Sequence, residues 1–249
     1  MELRDLIVTP IFIILVYTAA YFVRPYVTDQ ITRRYFLPAL SVRIFGALAL
    51  GFIYQFYYSG GDTFNFHTHG SRHVWEAFVD SPLSGLKLLF NNGDHSGIYK
   101  YSSRIMFFND SSSYFIIRIA AIFDLLTFSS YSATAVLFSL VGFVGMWLFY
   151  QTFYQQYPLN HKWLAISILF LPSVIFWGSG LLKDTITLAC LGISTFYFYK
   201  IFLKKEITIG MIVGLLISLF VIFSIKKFIL QAYLPSVIIW IFASRFYKM

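Results

Sequence analysis

The sequence predicts an all-α integral membrane protein, a polytopic helix bundle of about seven transmembrane helices in a single domain over residues 1–249. Three observations predict this class. Hydrophobic residues make up 58% of the chain and charged residues only 12%, about half the usual charged share of a soluble domain. Several apolar runs reach the roughly 18 to 20 residues that cross a bilayer. Phe and Tyr are abundant, which suits lipid-facing surfaces and interfacial aromatic belts.

The apolar runs define the candidate spans, which cover residues 6–23, 39–58, 134–153, 163–180, 185–203, 208–225 and 228–244. The run at residues 113–128 is shorter and contains Arg118 and Asp124. Charges in mid-bilayer are costly. This segment therefore either crosses with both charges facing the protein interior or lies at the interface as an amphipathic helix.

Basic residues indicate the orientation of the helices. Arg24, Arg33 and Arg34 lie between the first two spans, so this loop is expected to be cytoplasmic, and the loop over residues 59–133 external. Arg43, inside the second span, is expected to extend its guanidinium towards the cytoplasmic interface. If residues 113–128 do not cross, the arrangement we favour, five more cations fall on the cytoplasmic side: Lys162, Lys204, Lys205, Arg245 and Lys248.

The net charge of +8 does not indicate a nucleic-acid partner, because the cations lie at helix ends and not in a stripe. The single cysteine, Cys190, lies in an apolar run, so the chain has no disulfide framework. The Walker, Rossmann, G-x-S-x-G and H-E-x-x-H patterns are absent from the sequence, which argues against nucleotide-driven pumps and those hydrolases.

Most of the polar chemistry falls in residues 59–113, where Asp62 follows two glycines and the aromatic end of a span. Gly60 and Gly61 allow a sharp turn and close approach to a ligand. A carboxylate partly desolvated at the membrane boundary can act as a general base or bind a cation. The alternative is an ordinary exposed turn.

A second candidate segment interrupts the span at residues 163–180. Pro172 and the Gly-Ser-Gly run at residues 178–180 predict a broken membrane helix, followed at once by Lys183 and Asp184. Irregular backbone at membrane depth is tolerated where protein or a water-filled cavity satisfies it. Lys183 can pair with a phosphate, and Asp184 with a metal or an acceptor hydroxyl. The alternative is a connecting turn in which Asp184 caps the next helix.

Histidines in the same polar stretch suggest a metal site. His69 and His73 have the i, i+4 spacing that places two imidazoles on one face of a helix, which suits Zn²⁺ or another divalent ion. Asp62 is close to them in sequence. The alternative is a set of solvated loop histidines.

These motifs together resemble the polyprenyl-phosphate-dependent membrane glycosyltransferases of the GT-C superfamily. The likeness covers residues 54–200. It consists of an acidic residue that opens an external loop, Asp62, the turn P-S-x-x-F-W-G-S-G-x-x-K-D ending at Asp184, and the segment YFIIRIAAI around Arg118.

The resemblance implies a sugar donor on a lipid phosphate in the bacterial cytoplasmic membrane, with Asp62 and Asp184 as catalytic residues. The resemblance requires no fixed cofactor, although a divalent metal ion is compatible with it. It implies phosphate or substrate contacts from basic side chains. These are Lys183, Arg118, Lys226, Lys227 and Arg104.

Two other functions fit the same sequence. The chain can be a non-catalytic subunit or scaffold of a larger envelope complex, with protein partner subunits packed on the 59–113 segment. A transporter is the third alternative, but transporters show paired broken helices in repeated halves, and only one broken segment is apparent here.

Overall fold

Helices form all of the regular secondary structure in residues 2–91 and 93–246, the part of the chain described by a computed structural model. Three other helical turns lie between the α-helices: a π-helical turn at His67–Ser71, a 3₁₀ turn at Pro158–Asn160 and a second π turn at Tyr199–Leu203. The α-helices are α1 Leu3–Val27, α2 Arg33–Phe56, α3 Asp62–Phe66, α4 Arg72–Asp80, α5 Pro82–Phe90, α6 Tyr99–Ser102, α7 Ser111–Thr127, α8 Tyr131–Tyr154, α9 His161–Leu169, α10 Pro172–Trp177, α11 Lys183–Phe198, α12 Ile209–Ile225 and α13 Lys227–Phe246.

Within the described part of the chain, five helical segments are long and apolar enough to cross a membrane: Leu3–Val27, Arg33–Phe56, Tyr131–Tyr154, Lys183–Leu203 and Lys227–Arg245. Their composition is consistent with the predicted integral membrane protein. The apolar helix α12 has 17 residues and is shorter than these. The predicted span at residues 163–180 is interrupted, as the Pro172 and Gly-Ser-Gly pattern predicts. Here α9 ends at Leu169, and α10 begins at Pro172, which lacks the N–H that a continuing helix needs.

Small residues allow the central helices α8 and α11 to pack closely. A Cβ atom on Gly145 would lie 2.3 Å from the Cα atom of Ala189, and one on Gly192 would lie 2.0 Å from the carbonyl oxygen of Gly145. Close helix contact through small side chains is typical of membrane proteins, where packing replaces the hydrophobic effect as the driving force.

Contacts at the helix termini define two ends of the molecule. At one end, Arg4 donates to the carbonyl of Phe128 (2.8 Å) and the Thr63 and Tyr131 hydroxyls are 2.8 Å apart. We call this the Asp62 end, because α3 begins there. At the other end, which we call the Arg33 end, Tyr154 donates to Asp29 over 2.6 Å. Helices α1 and α8 therefore run from the Asp62 end to the Arg33 end, and α2 runs back.

Helix α7 begins and ends at the Asp62 end. Its first turn contacts Lys183 through Ser112 (2.8 Å), and it is followed directly by the residues that contact the start of α1. The non-crossing alternative requires both ends of α7 on one side of the membrane, and it stays a prediction. The boundaries Ser111–Thr127 lie within two residues of the expected interfacial helix.

Several of the cations that the non-crossing arrangement assigns to the cytoplasmic side lie at the Arg33 end. Arg34 lies 3.3 Å from the ring nitrogens of His161, which precedes Lys162, and Arg245 donates to the carbonyl of Phe202 over 3.1 Å. Lys204 lies over the ring of Tyr199. The last cation of the predicted set, Lys248, lies outside the described residues.

Arg43 does not extend to an interface, and that expectation is wrong. Its side chain is 1% exposed and donates to the carbonyl oxygens of Gly178 (2.6 Å) and Val174 (3.2 Å). The last carbonyls of a helix have no partners within the helix. Arg43 supplies the donor for the Gly178 carbonyl and a second donor for the Val174 carbonyl, which also accepts from the Gly178 N–H (3.0 Å). It thereby stabilises the break between α10 and α11.

We expect Arg43→Met to lower the free energy of unfolding in detergent by about 1–3 kcal/mol, since it leaves the buried Gly178 carbonyl without a described donor. Arg33→Met is the matched control, because Arg33 is exposed on the same helix. Reversible thermal or SDS unfolding measures both. Equal effects of the two substitutions would show that the buried hydrogen bonds do not stabilise the break.

Candidate functional site

A cavity of about 310 Å³ opens at the Asp62 end, between the start of α3, the start of α11 and the α12–α13 junction. Both predicted acids and two of the predicted lysines belong to its lining. We call it the Asp62 cavity. Its lining residues are Asp62, Phe66, Phe107, Ser113, Leu182, Lys183, Asp184 and Lys226.

Asp62 reaches the cavity because of the two glycines before it. Gly60 and Gly61 both have φ of +136°, a conformation that residues with a Cβ atom rarely adopt. A Cβ atom on Gly61 would also lie 2.5 Å from the ring of Tyr54. The Asp62 carboxylate is exposed and makes no hydrogen bond or ion pair with any other described residue. It is therefore free to accept a proton or a ligand.

Asp184 lies in the first turn of α11 and accepts from Lys226, with Nζ and Oδ1 2.5 Å apart. It does not cap the helix, because the N-cap position belongs to Leu182. The pair connects α11 to the junction between α12 and α13. It also holds Lys226 at the Asp62 end, beside the same cavity as Lys183.

Lys183 has a carboxylate partner that the sequence analysis missed. Its Nζ lies 3.5 Å from Asp110 Oδ2 and donates to Ser112 (2.8 Å). Asp110 caps α7 by accepting from the Ser112 backbone N–H over 3.2 Å, and it also accepts from the Ser113 hydroxyl. The signal was available, since Asp followed by three serines is an N-cap pattern.

Three longer helices start at this cavity. Helix α7 contributes Ser113 from its first turn, α11 contributes Lys183 and Asp184, and α13 begins directly after Lys226. The N-terminus of a helix carries unpaired N–H groups and about half a positive charge. Together with two ammonium groups, these helix starts favour an anion such as a phosphate.

The other predicted substrate-binding residues are outside the Asp62 cavity. Arg118 donates to the carbonyl of Asn91 and lies over the ring of Tyr114. Lys227 lies over the ring of Phe223. Arg104 forms an ion pair with Glu76 (3.1 Å), whose carboxylate also contacts His73. The structure gives each of these residues another partner and does not bring them to the two acids.

The structure does not support the predicted metal site. His73 is buried with Nδ1 3.1 Å from Glu76, whereas His69 is exposed and lines separate cavities beside Tyr54. His69 lies in the π-helical turn with non-helical φ/ψ, so the expected helical face is distorted. Within residues 2–91 and 93–246, no group of three or more His, Cys, Asp or Glu side chains could hold a metal ion.

A buried polar network follows α3, the helix that begins at Asp62. Asp124 of α7 is fully buried and accepts from Ser71 (2.6 Å) and Thr134 (2.7 Å), while His67 Nε2 lies 3.4 Å from its Oδ1. Buried carboxylates need such partners. The network joins the π turn after α3 to α7 and α8, and thereby fixes the segment that presents Asp62.

No protein-family model, curated protein or solved structure matches this chain. The resemblance to lipid-phosphate glycosyltransferases therefore depends on the short motifs themselves. What the cavity does has to be argued from the geometry of its residues.

The interactions of Asp110 generate a pH dependence. Partial burial raises the pKa of its carboxyl, but the Ser113 and Ser112 hydrogen bonds and the Lys183 charge outweigh that effect, so the pKa lies below its usual 3.8. A lowered folded-state pKa stabilises the protein above the unfolded value, and this contribution is lost as the pH falls through the folded value.

We expect Asp110→Asn to reduce the loss of stability between about pH 5 and about pH 3, relative to the wild type, because the titrating group is removed. Thermal unfolding in detergent across this range provides the measurement. Asp62→Asn is the control, since it removes a carboxylate without a described partner. If the stability of Asp110→Asn fell with decreasing pH as steeply as that of the wild type, the pH dependence would not come from Asp110.

Proposed function

We propose that this protein is a membrane glycosyltransferase that transfers a sugar from a polyprenyl-phosphate donor, with the reaction at the Asp62 cavity. The observation that carries the proposal is the meeting of Asp62, Asp184, Lys183 and Lys226 around one small cavity. Its volume of about 310 Å³ lies at the lower end of the range of small-molecule sites, roughly 300–1,000 Å³.

The phosphate of the donor is assigned to the two lysines and the adjoining helix starts. Each ammonium group has three N–H donors. Lys226 donates one hydrogen bond to Asp184. Lys183 donates one to Ser112 and lies close to Asp110. An entering phosphate can therefore bind without displacing the carboxylates, which hold both cations in place.

Asp62 is assigned as the general base, because its carboxylate has no other described partner. It takes the proton from an acceptor hydroxyl as the hydroxyl oxygen forms a bond to the anomeric carbon of the sugar. The bond between that carbon and the phosphate oxygen breaks, and polyprenyl phosphate leaves with the electron pair. Attack from the face opposite to the phosphate inverts the anomeric centre.

Asp184 is assigned a positioning role. Its ion pair with Lys226 fixes the ammonium beside the leaving phosphate, where negative charge develops in the transition state. Both side chains of this pair are partly exposed, so its own contribution to stability is small. Its contribution is to the geometry of the reaction.

We expect Asp62→Asn to reduce sugar transfer by at least about 100-fold, the usual contribution of a general base. Membranes containing each variant are supplied with a radiolabelled polyprenyl-phosphate hexose, and label that moves into an acceptor is counted. Asp94→Asn is the matched control, because Asp94 is a loop carboxylate outside the cavity. The folded fraction is compared by size-exclusion chromatography.

Wild-type transfer by a folded Asp62→Asn protein would reject Asp62 as the base. An absence of transfer by the wild type, together with stoichiometric co-purification of another membrane protein, would favour the non-catalytic subunit.

A further inference from the structure

A second, apolar groove adjoins the Asp62 cavity. It has a volume of about 240 Å³ and lies between α10, α11 and α13. We call it the α10–α11 groove. The residues that matter here are Ser173, Trp177, Asp184, Thr187, Leu191 and Ile229.

Asp184 lines both the groove and the Asp62 cavity, so the two lie next to each other at this residue. From Asp184 the groove follows α11 through Thr187 to Leu191, away from the polar cavity. The Thr187 hydroxyl donates to the carbonyl of Lys183 (2.8 Å), so its hydrogen-bonding demand is met within the helix. The groove therefore presents mainly carbon to whatever occupies it.

The break between α10 and α11 exposes this groove. Because α10 ends at Trp177, the segment after it no longer continues alongside α11 as a helix, and Trp177 remains about half exposed. The groove lies on Lys183–Leu203, one of the segments able to cross a membrane. On such a segment, the part of the groove beyond Asp184 is expected to face hydrocarbon.

We propose that the α10–α11 groove binds the hydrocarbon chain of the lipid-phosphate donor, starting at the isoprene units nearest the phosphate. This inference rests on the proposed function and specifies where its donor enters. A polar head in the Asp62 cavity places the first part of its chain beside Asp184 and then along Leu191. One narrow groove accommodates one chain, which fits a single-chain polyprenyl phosphate better than a diacyl phospholipid.

The test is photo-crosslinking with a polyprenyl phosphate that carries a diazirine on the isoprene unit nearest the phosphate. The purified full chain in nanodiscs is irradiated without any acceptor, and labelled peptides are identified by mass spectrometry. We expect saturable labelling on α10 and α11 around Trp177 and Leu191. Unlabelled polyprenyl phosphate should compete at least tenfold better than polyprenol or phosphatidic acid.

The second part of the test fills the groove with a larger side chain. Leu191→Trp should reduce the labelling at least tenfold, whereas Leu216→Trp, on an exposed face of α12, should leave it unchanged. Ser173→Trp, at the exposed rim of the groove, serves if Leu191→Trp fails to fold. Non-saturable labelling over the exposed helix faces, equal competition by phosphatidic acid, or labelling unaffected by the filling variants would overturn the proposal.

Asp62→Asn separates this inference from the catalytic proposal. It should lose transfer and keep the crosslinks. Crosslinks in the groove from a wild-type protein that transfers no sugar would keep the lipid site and reject the enzyme. Transfer by a wild-type protein that gives no crosslinks in the groove would keep the enzyme and reject the lipid site.

Discussion

The site depends on one buried arginine. Arg43, in the middle of α2, donates to the carbonyls of Val174 and Gly178 and so ends α10 inside the protein. A guanidinium in this position is expensive unless the surrounding groups accept its hydrogen bonds. At the end of α10 the Val174 and Gly178 carbonyls accept from one terminal nitrogen of the guanidinium, and the Gly178 carbonyl has no other described donor. The chain leaves the helix at Gly178 and starts α11 beside the cavity.

The break determines which charges the cavity holds. An uninterrupted helix through residues 172–198 would place Lys183 and Asp184 within a helix, where their backbone N–H groups would be used. In the structure these two residues form the first turn of α11, with the positive end of the helix beside them. Lys226 and Ser113 also lie at helix starts. The electrostatic character of the site therefore comes from backbone as much as from side chains.

The sequence predicts the parts of this structure that depend on local pattern. Long apolar runs correspond to the long helices, and Pro172 with Gly178 marks the break. The motif resemblance singles out Asp62 and Asp184. The partners of the cations were not predictable, because Lys183 with Asp110 and Arg118 with Asn91 are contacts between segments distant in sequence. The expectation for Arg43 was wrong because burying a charge is usually costly, which favours a side chain that reaches the membrane interface. The carbonyl groups that accept from Arg43 come from α10, which is distant in sequence.

The charge balance of the cavity indicates the kind of ligand it selects. Lys183 and Lys226 both have carboxylate partners nearby, so a small free phosphate gains only part of the attraction that unpaired lysines would offer. Under the proposed function an amphiphile is favoured, because its chain already lies in the bilayer and packs along the α10–α11 groove by van der Waals contact. Discrimination then comes from the combination of a held phosphate and a packed chain. Asp184 belongs to both compartments, and its position at their junction makes that combination possible.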